Sequence, residues 1–330
     1  MDTVRAGKRL AWRQLGRLGL TLLFAAEVCM CLGASKPSKP PNYPTGEIEL
    51  KYYANGPWAV SQVIGEDCGD AKYKCDLYYP TNLGSNGFRH PCLTWGNGSW
   101  GQSQDVALFL RHMASWGFVV IATEDQNTGG GQTILDAATF LTNANSDSKS
   151  IFYQKLNTDN VGSFGHSQGA GGAINAMIKS GDRIKTVVPI EFPSRIWCTQ
   201  GSECADTKKI LLGSIFLIDG SADAISPPTQ PSFVPGVQSI AAAYEAVPES
   251  VEKLKGTLKG PNHNDITGQP SCQEAKWPCA NGVYGYLGYP TAWMMAQLQG
   301  DTYARSAFIQ GSGEMFAQTT NWEYVASNLH

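Results

Sequence analysis

The first chemical signal in this sequence is a serine between glycines. Gly165, Ser167 and Gly169 form Gly-x-Ser-x-Gly, between a short apolar run at residues 160–164 and a small-residue run at residues 168–179 that reads as a helix. On a cramped strand-to-helix turn, a serine is pushed out of the sheet. The next residue's N–H then stands at a helix N-terminus, where negative charge would develop in an acyl transfer. Small neighbours let the backbone turn without a side-chain clash. The motif by itself also fits an ordinary glycine-rich turn; the strand before it and the helix after it select the nucleophile reading.

A serine hydroxyl needs an adjacent base, and that base needs an orienting carboxylate. The chain has five histidines. His166 sits inside the turn and reads as a packing residue. His90 precedes Pro91 at a strand entry, His112 lies on a helical pattern, and His330 is terminal. His263, in Gly260-Pro261-Asn262-His263, follows a late strand, where the Ser…Asp…His order puts the base. Asp219 and Asp223 both follow the strand ending near Ile218. Asp223 lies deeper in the loop and is the better-placed acid, with Asp219 the alternative. Asp265 is too local to His263 to orient it and reads as a turn cap.

An oxyanion needs two N–H donors. Gln168 supplies one, and the loop Trp95-Gly96-Asn97-Gly98 the other, through Asn97 or alternatively Gly98. Trp95, Trp100, Phe192 and Trp197 lie close in sequence to these loops. They are candidates for clamping an acyl or aromatic group, and equally for packing the loops against the body. Asn97-Gly98-Ser99 is the chain's one N-glycosylation triplet; a glycan there would plug the cleft, so the triplet is expected to be unoccupied.

These groups require a scaffold, and the bulk numbers allow one. The 330 residues are 42% hydrophobic and 16% charged, which suits one large single-core domain. The formal charge is −3, and no long Lys/Arg block offers a footprint for nucleic acid. Five basic residues precede an apolar run closed by Gly33, Ala34 and Ser35, the pattern of a signal peptide over residues 1–34. The alternative, an uncleaved membrane anchor, has a short core interrupted by Glu27. Residues 35–45 read as a proline-rich linker, and residues 46–330 as the catalytic domain. Of nine cysteines, six form close pairs, Cys68 with Cys75, Cys198 with Cys204 and Cys272 with Cys279, as local disulfides of an exported protein do. Cys92 is left over inside an apolar strand. No zinc-ligand spacing occurs, and neither metal nor organic cofactor is expected.

In chain order, residues 47–54, 58–64 and 72–79 read as strands opening the sheet antiparallel. After them strands alternate with helices: strands near 91–95, 118–122, 160–164, 183–190, 210–218 and 251–258, helices near 105–116, 133–143, 168–179 and 239–246. That alternation implies a mostly parallel sheet covered on both faces, with sites at the carboxyl ends of its strands.

With Gly165-His166-Ser167-Gln168-Gly169, the Asp223-Ala-Ile-Ser-Pro loop and Gly-Pro-Asn-His263 in place, the chain resembles the α/β-hydrolase superfamily. Within it, the chain is similar to the lidless dienelactone-hydrolase-like, chlorophyllase-like and cutinase-type polyester hydrolases. The resemblance runs from about Gly56 to the C-terminus. It implies a Ser–His–Asp esterase without an inserted cap, acting on a small or polymeric ester. Polyester-degrading members usually have Met after the serine, where this chain has Gln168, and an aromatic after the oxyanion-loop glycine, where it has Asn97. A secreted peptidase with the same triad, or a non-catalytic binding module on this fold, are the competing expectations.

Overall fold

The computed structural model describes residues 38–70, 72–197, 204–229 and 239–330, and Lys39–His330 form one unit. The expected leader, residues 1–34, lies outside the described residues. The strands are β1 Val60–Glu66, β2 Cys75–Pro80, β3 His90–Gly96, β4 Val119–Thr123, β5 Leu156–His166, β6 Ile184–Ile190, β7 Ser214–Gly220, β8 Glu252–Leu258 and β9 Trp322–Ser327. The helices are α1 Glu47–Tyr53, α2 Ala107–Ser115, α3 Gln132–Ser146, α4 Gln168–Lys179, α5 Ile240–Ala246, α6 Gly288–Gln299, α7 Thr302–Ser306 and α8 Glu314–Ala317. The strands join in one sheet ordered β1-β2-β4-β3-β5-β6-β7-β8-β9. β1, β2 and β9 pair antiparallel with their neighbours, and all the pairings from β4 through β8 are parallel.

Why both faces are covered is readable along β7. Successive side chains point to opposite faces. Phe216 and Ile218 enter one core with Phe164, Trp293 and Trp322. Ile215 and Leu217 enter the other with Leu141, Ala173 and Ile174 from α3 and α4. A strand buried on both faces is apolar throughout rather than alternating, which is why 210–218 reads as one hydrophobic run.

The expected strand at 47–54 is instead α1. Ile48 and Tyr52, four residues apart, are both buried, and the helix packs against α6. Short runs such as Glu-Ile-Glu-Leu-Lys-Tyr fit both periods, and tertiary contact selects the helix. Glu314 settles the helix start by accepting the Ile48 and Glu49 N–H groups at 2.8 and 2.9 Å.

The same contact buries Glu49, at 1% exposure, with Trp322 Nε1 donating to its Oε1 at 2.8 Å. Burial above all, with Glu314 adding repulsion, raises its pKa from 4.5 to about 7. A folded-state value above the unfolded one means the native protein holds the proton more tightly. That stabilisation is complete below pH 4.5 and is lost as pH rises through about 7. Its size is about 3 kcal/mol. Urea titrations of wild type and Glu49→Gln should therefore show similar stability at the acid end. By pH 8 the variant should be the more stable by roughly that amount; a pH-independent gap would assign the ionisation elsewhere.

Cys68–Cys75 and Cys272–Cys279 are disulfides. Cys204 is also disulfide-bonded, and the Cys198 expected to pair with it lies outside the described residues. Cys92 is a buried free thiol whose pKa burial pushes up to about 12, so it is unreactive. Among the described residues no helix is long and apolar enough to cross a membrane.

Candidate active site

β5 ends at His166 and α4 begins at Gln168, so Ser167 is the single residue of the turn between them. It takes φ +54° and ψ −122°, a conformation a non-glycine residue holds only when its surroundings enforce it. Two glycines make the enforcement possible. A Cβ on Gly169 would lie 2.1 Å from the Gly96 carbonyl oxygen, and one on Gly165 2.3 Å from that of Gly169. With neither present, α4 sits down on the end of β3, and the loop after β3 comes to the serine.

Asp223 follows β7 and His263 follows β8, so the segments leaving the carboxyl ends of β5, β7 and β8 converge. His263 Nε2 lies 2.7 Å from Ser167 Oγ, and His263 Nδ1 lies 2.7 Å from Asp223 Oδ2. Oδ1 of Asp223 accepts the N–H groups of Ile225 and Ser226 at 2.7 and 3.0 Å. Burial opposes ionisation of Asp223, but the hydrogen bonds from His263, Glu191 and Ser226 outweigh it and hold its pKa below the ordinary carboxylate value. Asp219 is not brought to His263; it lies in β7, buried, accepting from Thr257 at 2.8 Å.

His166 does more than pack. Its Nε2 donates to the His263 carbonyl at 2.6 Å. Burial and then the neighbouring His263 lower its pKa to about 3, so it stays a neutral donor at working pH. Asp265 also exceeds its expected role as a turn cap. Fully buried, it accepts from Asn262 N–H at 2.6 Å and from the N–H groups of Ala280, Asn281 and Gly282. One carboxylate thus ties the His263 loop to the Cys272–Cys279 loop.

On the opposite side, Gln168 opens α4, where the first N–H groups have no intrahelical partner. Its side chain donates to Asn127 Oδ1 at 2.9 Å. Asn97 is locked in place, its Nδ2 donating to the Thr123 and Asp125 carbonyls at 2.7 and 3.0 Å. With the side chain 1% exposed and so engaged, the folded protein has no room for a glycan on it. Gly98 lies against Ser167, where a Cβ would fall 3.4 Å from Ser167 Cβ.

Two of the expected substrate aromatics belong to the core instead. Trp95, 1% exposed, alternates inward from β3 and packs on Phe109 and Phe164, while its Nε1 donates to Asn97 Oδ1 at 2.9 Å. Phe192 is 6% exposed and packs on α4, its Cε2 lying 3.5 Å from where a Gly171 Cβ would sit. Strand alternation and helix packing turn both away from the cleft. Trp100 does face solvent, 71% exposed and at φ +58°, two residues beyond Gly98. The Lys276 amine donates to its carbonyl at 3.3 Å, and so brings the half-exposed Trp277 of the disulfide loop to the same region.

A serine on a strand–helix turn, hydrogen-bonded to a histidine and through it to an aspartate, all at the carboxyl end of a mostly parallel sheet, marks the α/β-hydrolase fold. The chain belongs to the PET hydrolase-like family, whose model matches residues 44–246. That range holds Asn97, Ser167 and Asp223 but stops short of His263. No curated protein matches the chain. Membership places it among hydrolases that act on esters.

Proposed function

We propose that this protein is a secreted serine esterase that cleaves carboxylic esters, polymeric ones included, through an acyl-enzyme. The observation that carries the reading is the pair of 2.7 Å hydrogen bonds joining Ser167 to His263 and His263 to Asp223. Ser167 Oγ attacks the ester carbonyl while His263 Nε2 takes its proton and passes it to the departing alcohol. Asp223 keeps the proton-bearing Nδ1 oriented and stabilises the imidazolium. The N–H groups of Gln168 and Asn97 hold the tetrahedral oxygen. Water activated by the same His263 then releases the acid. These steps call on protein groups and water alone. Residues 1–34 act as a cleaved leader; the end of the segment expected as a linker instead packs on the catalytic body, the Tyr43 carbonyl accepting from Asn321 Nδ2 at 2.7 Å and Asn42 Nδ2 donating to the Lys259 carbonyl at 2.9 Å. The disulfides at Cys68–Cys75 and Cys272–Cys279 fit an oxidising compartment. The solvent-facing indole of Trp100 beside the oxyanion loop supports contact with a broad or polymeric substrate.

The test is hydrolysis of p-nitrophenyl esters of increasing acyl length, an amorphous polyester film and a peptide amide. Ester and film turnover without amide cleavage is the expected pattern. Amide cleavage alone would instead make the protein a peptidase, and inertness of folded protein toward all three would remove the hydrolase reading.

A further inference from the structure

Behind Asp223 stands a carboxyl group that takes no part in these hydrolytic steps. Glu191 follows the last residue of β6, and its own backbone takes φ +53°. It is completely buried. Its N–H donates to the Ile218 carbonyl at 2.8 Å, its Oε2 accepts Gly220 N–H at 3.1 Å, and its Oε1 accepts the Tyr286 hydroxyl. The same carboxyl stands beside that of Asp223, and the functional atoms of Glu191, Asp223 and His263 all lie within 4.8 Å of one another.

Two carboxyl groups in buried contact cannot both be ionised. Asp223 is the one supplied with donors suited to an anion, the Ile225 and Ser226 N–H groups and His263 Nδ1. The proton between them therefore belongs to Glu191. A left-handed φ on a buried glutamate, held by backbone and side-chain hydrogen bonds, marks a position where the fold sustains strain to place this group.

We propose that Glu191 is a positioning residue of the hydrolytic reaction: a buried carboxylic acid whose O–H donates to Asp223 and holds that carboxylate, and through it His263, in line with Ser167. The inference rests on the esterase reading of Ser167, His263 and Asp223. Burial is the largest influence favouring the protonated acid, and Asp223 and Asp219, from the β7 end, add to it. Tyr286, ahead of α6, donates to Glu191 and opposes this only in part. The Tyr286 hydroxyl is itself held protonated, by burial first and by the neighbouring carboxyl groups after it. His263 meets the pair through its Nδ1 bond to Asp223.

Two variants separate this from a merely structural role. Glu191→Gln keeps a donor for Asp223 and an acceptor for Tyr286 and is neutral, like the protonated acid; it gives up only the acceptor of the Gly220 N–H. It should retain most of the turnover and leave the acidic limb of the kcat/KM–pH profile where wild type has it. Glu191→Leu removes the donor to a charged acceptor. It should lower kcat by about 10- to 100-fold with little change in KM, and move the acidic limb to higher pH because Asp223 then faces His263 with its charge unshared. Were Glu191 ionised in the native protein, the Gln variant would take a negative charge from beside the triad and shift the limb down by about one unit.

A downward shift of that kind, equal losses in the Gln and Leu variants, or a Leu variant indistinguishable from wild type would each overturn the proposal. The wild-type-minus-Glu191→Gln infrared difference spectrum, in which the other buried protonated carboxyls such as Glu49 cancel, should show the carbonyl stretch of one protonated carboxylic acid, and it needs neither turnover nor the Leu variant to fold. It reads the protonation of Glu191 even if the esterase assignment fails, so the two failures are distinguishable. Absence of that stretch from the difference spectrum would place the proton on another group and overturn the proposal as well.

Discussion

Replacing Ser167 with alanine should lower kcat/KM on any ester the protein cleaves by about 10⁴-fold or more, on the order of 5 kcal/mol of transition-state stabilisation. The substitution removes only Oγ. His263 keeps its 2.7 Å bond to Asp223 and loses its 2.7 Å hydrogen bond to Ser167 Oγ, and with it the proton it is proposed to take. The Gln168 and Asn97 N–H groups proposed to hold the oxyanion remain, so a small residue of water-driven catalysis should be left. KM should change little, because the ground-state ester is held by the same walls. Stability should change little as well, since alanine and serine meet similar strain at φ +54°. A phosphonate that labels wild type at one residue should leave the variant unlabelled by mass spectrometry. Loss of less than tenfold, with labelling intact, would put the nucleophile elsewhere.

Asp265→Ala should be the most damaging change outside the triad. The carboxylate accepts N–H groups from Asn262, Ala280, Asn281 and Gly282 in a fully buried position. Alanine would leave those donors without an acceptor and without water. At about 1–3 kcal/mol for each buried donor that finds no new partner, a loss of about 3–5 kcal/mol is expected even after partial relaxation. The loop it anchors carries His263, tied further through Asn264 Nδ2 to the Pro278 carbonyl at 3.2 Å. Turnover should therefore fall at temperatures where the variant is still folded, with kcat falling more than KM rises. Thermal unfolding and steady-state kinetics together check this. A stable variant with normal kcat would show that the Cys272–Cys279 disulfide holds the loop by itself.

Local signals and long-range ones differ in how far they can be read from this chain. The α4 boundaries, 168 to 179, are legible because a glycine-bracketed serine and a run of small residues both mark a helix beginning there. His263 and Asp223 are legible because few histidines compete, and because chain order in parallel sheets restricts where a base and an acid can stand. Trp95 and Phe192 mislead, since proximity in sequence to a loop says nothing about which face a side chain takes. β3 points Trp95 inward, and Phe192 lies down on α4. α1 imitates a strand because its apolar residues satisfy two periodicities, and only α6 and Glu314 distinguish them. The C-terminal strand β9 closes the sheet with Trp322 in the core. Its Trp322-Glu323-Tyr324-Val325 run, rich in strand formers, is the local signal that could have found it.

Residue type, short-range turn chemistry and chain order are enough to point to the fold class, the candidate nucleophile, the base and the favoured acid. How those groups are held is a different matter. Glu191, His166 and Asp265 reach the site from separate strand ends and loops, through hydrogen bonds made across 97 residues in one case. No pattern in the chain encodes such contacts, because they exist only once β5, β6, β7 and β8 lie side by side and water has left the space between their carboxyl ends.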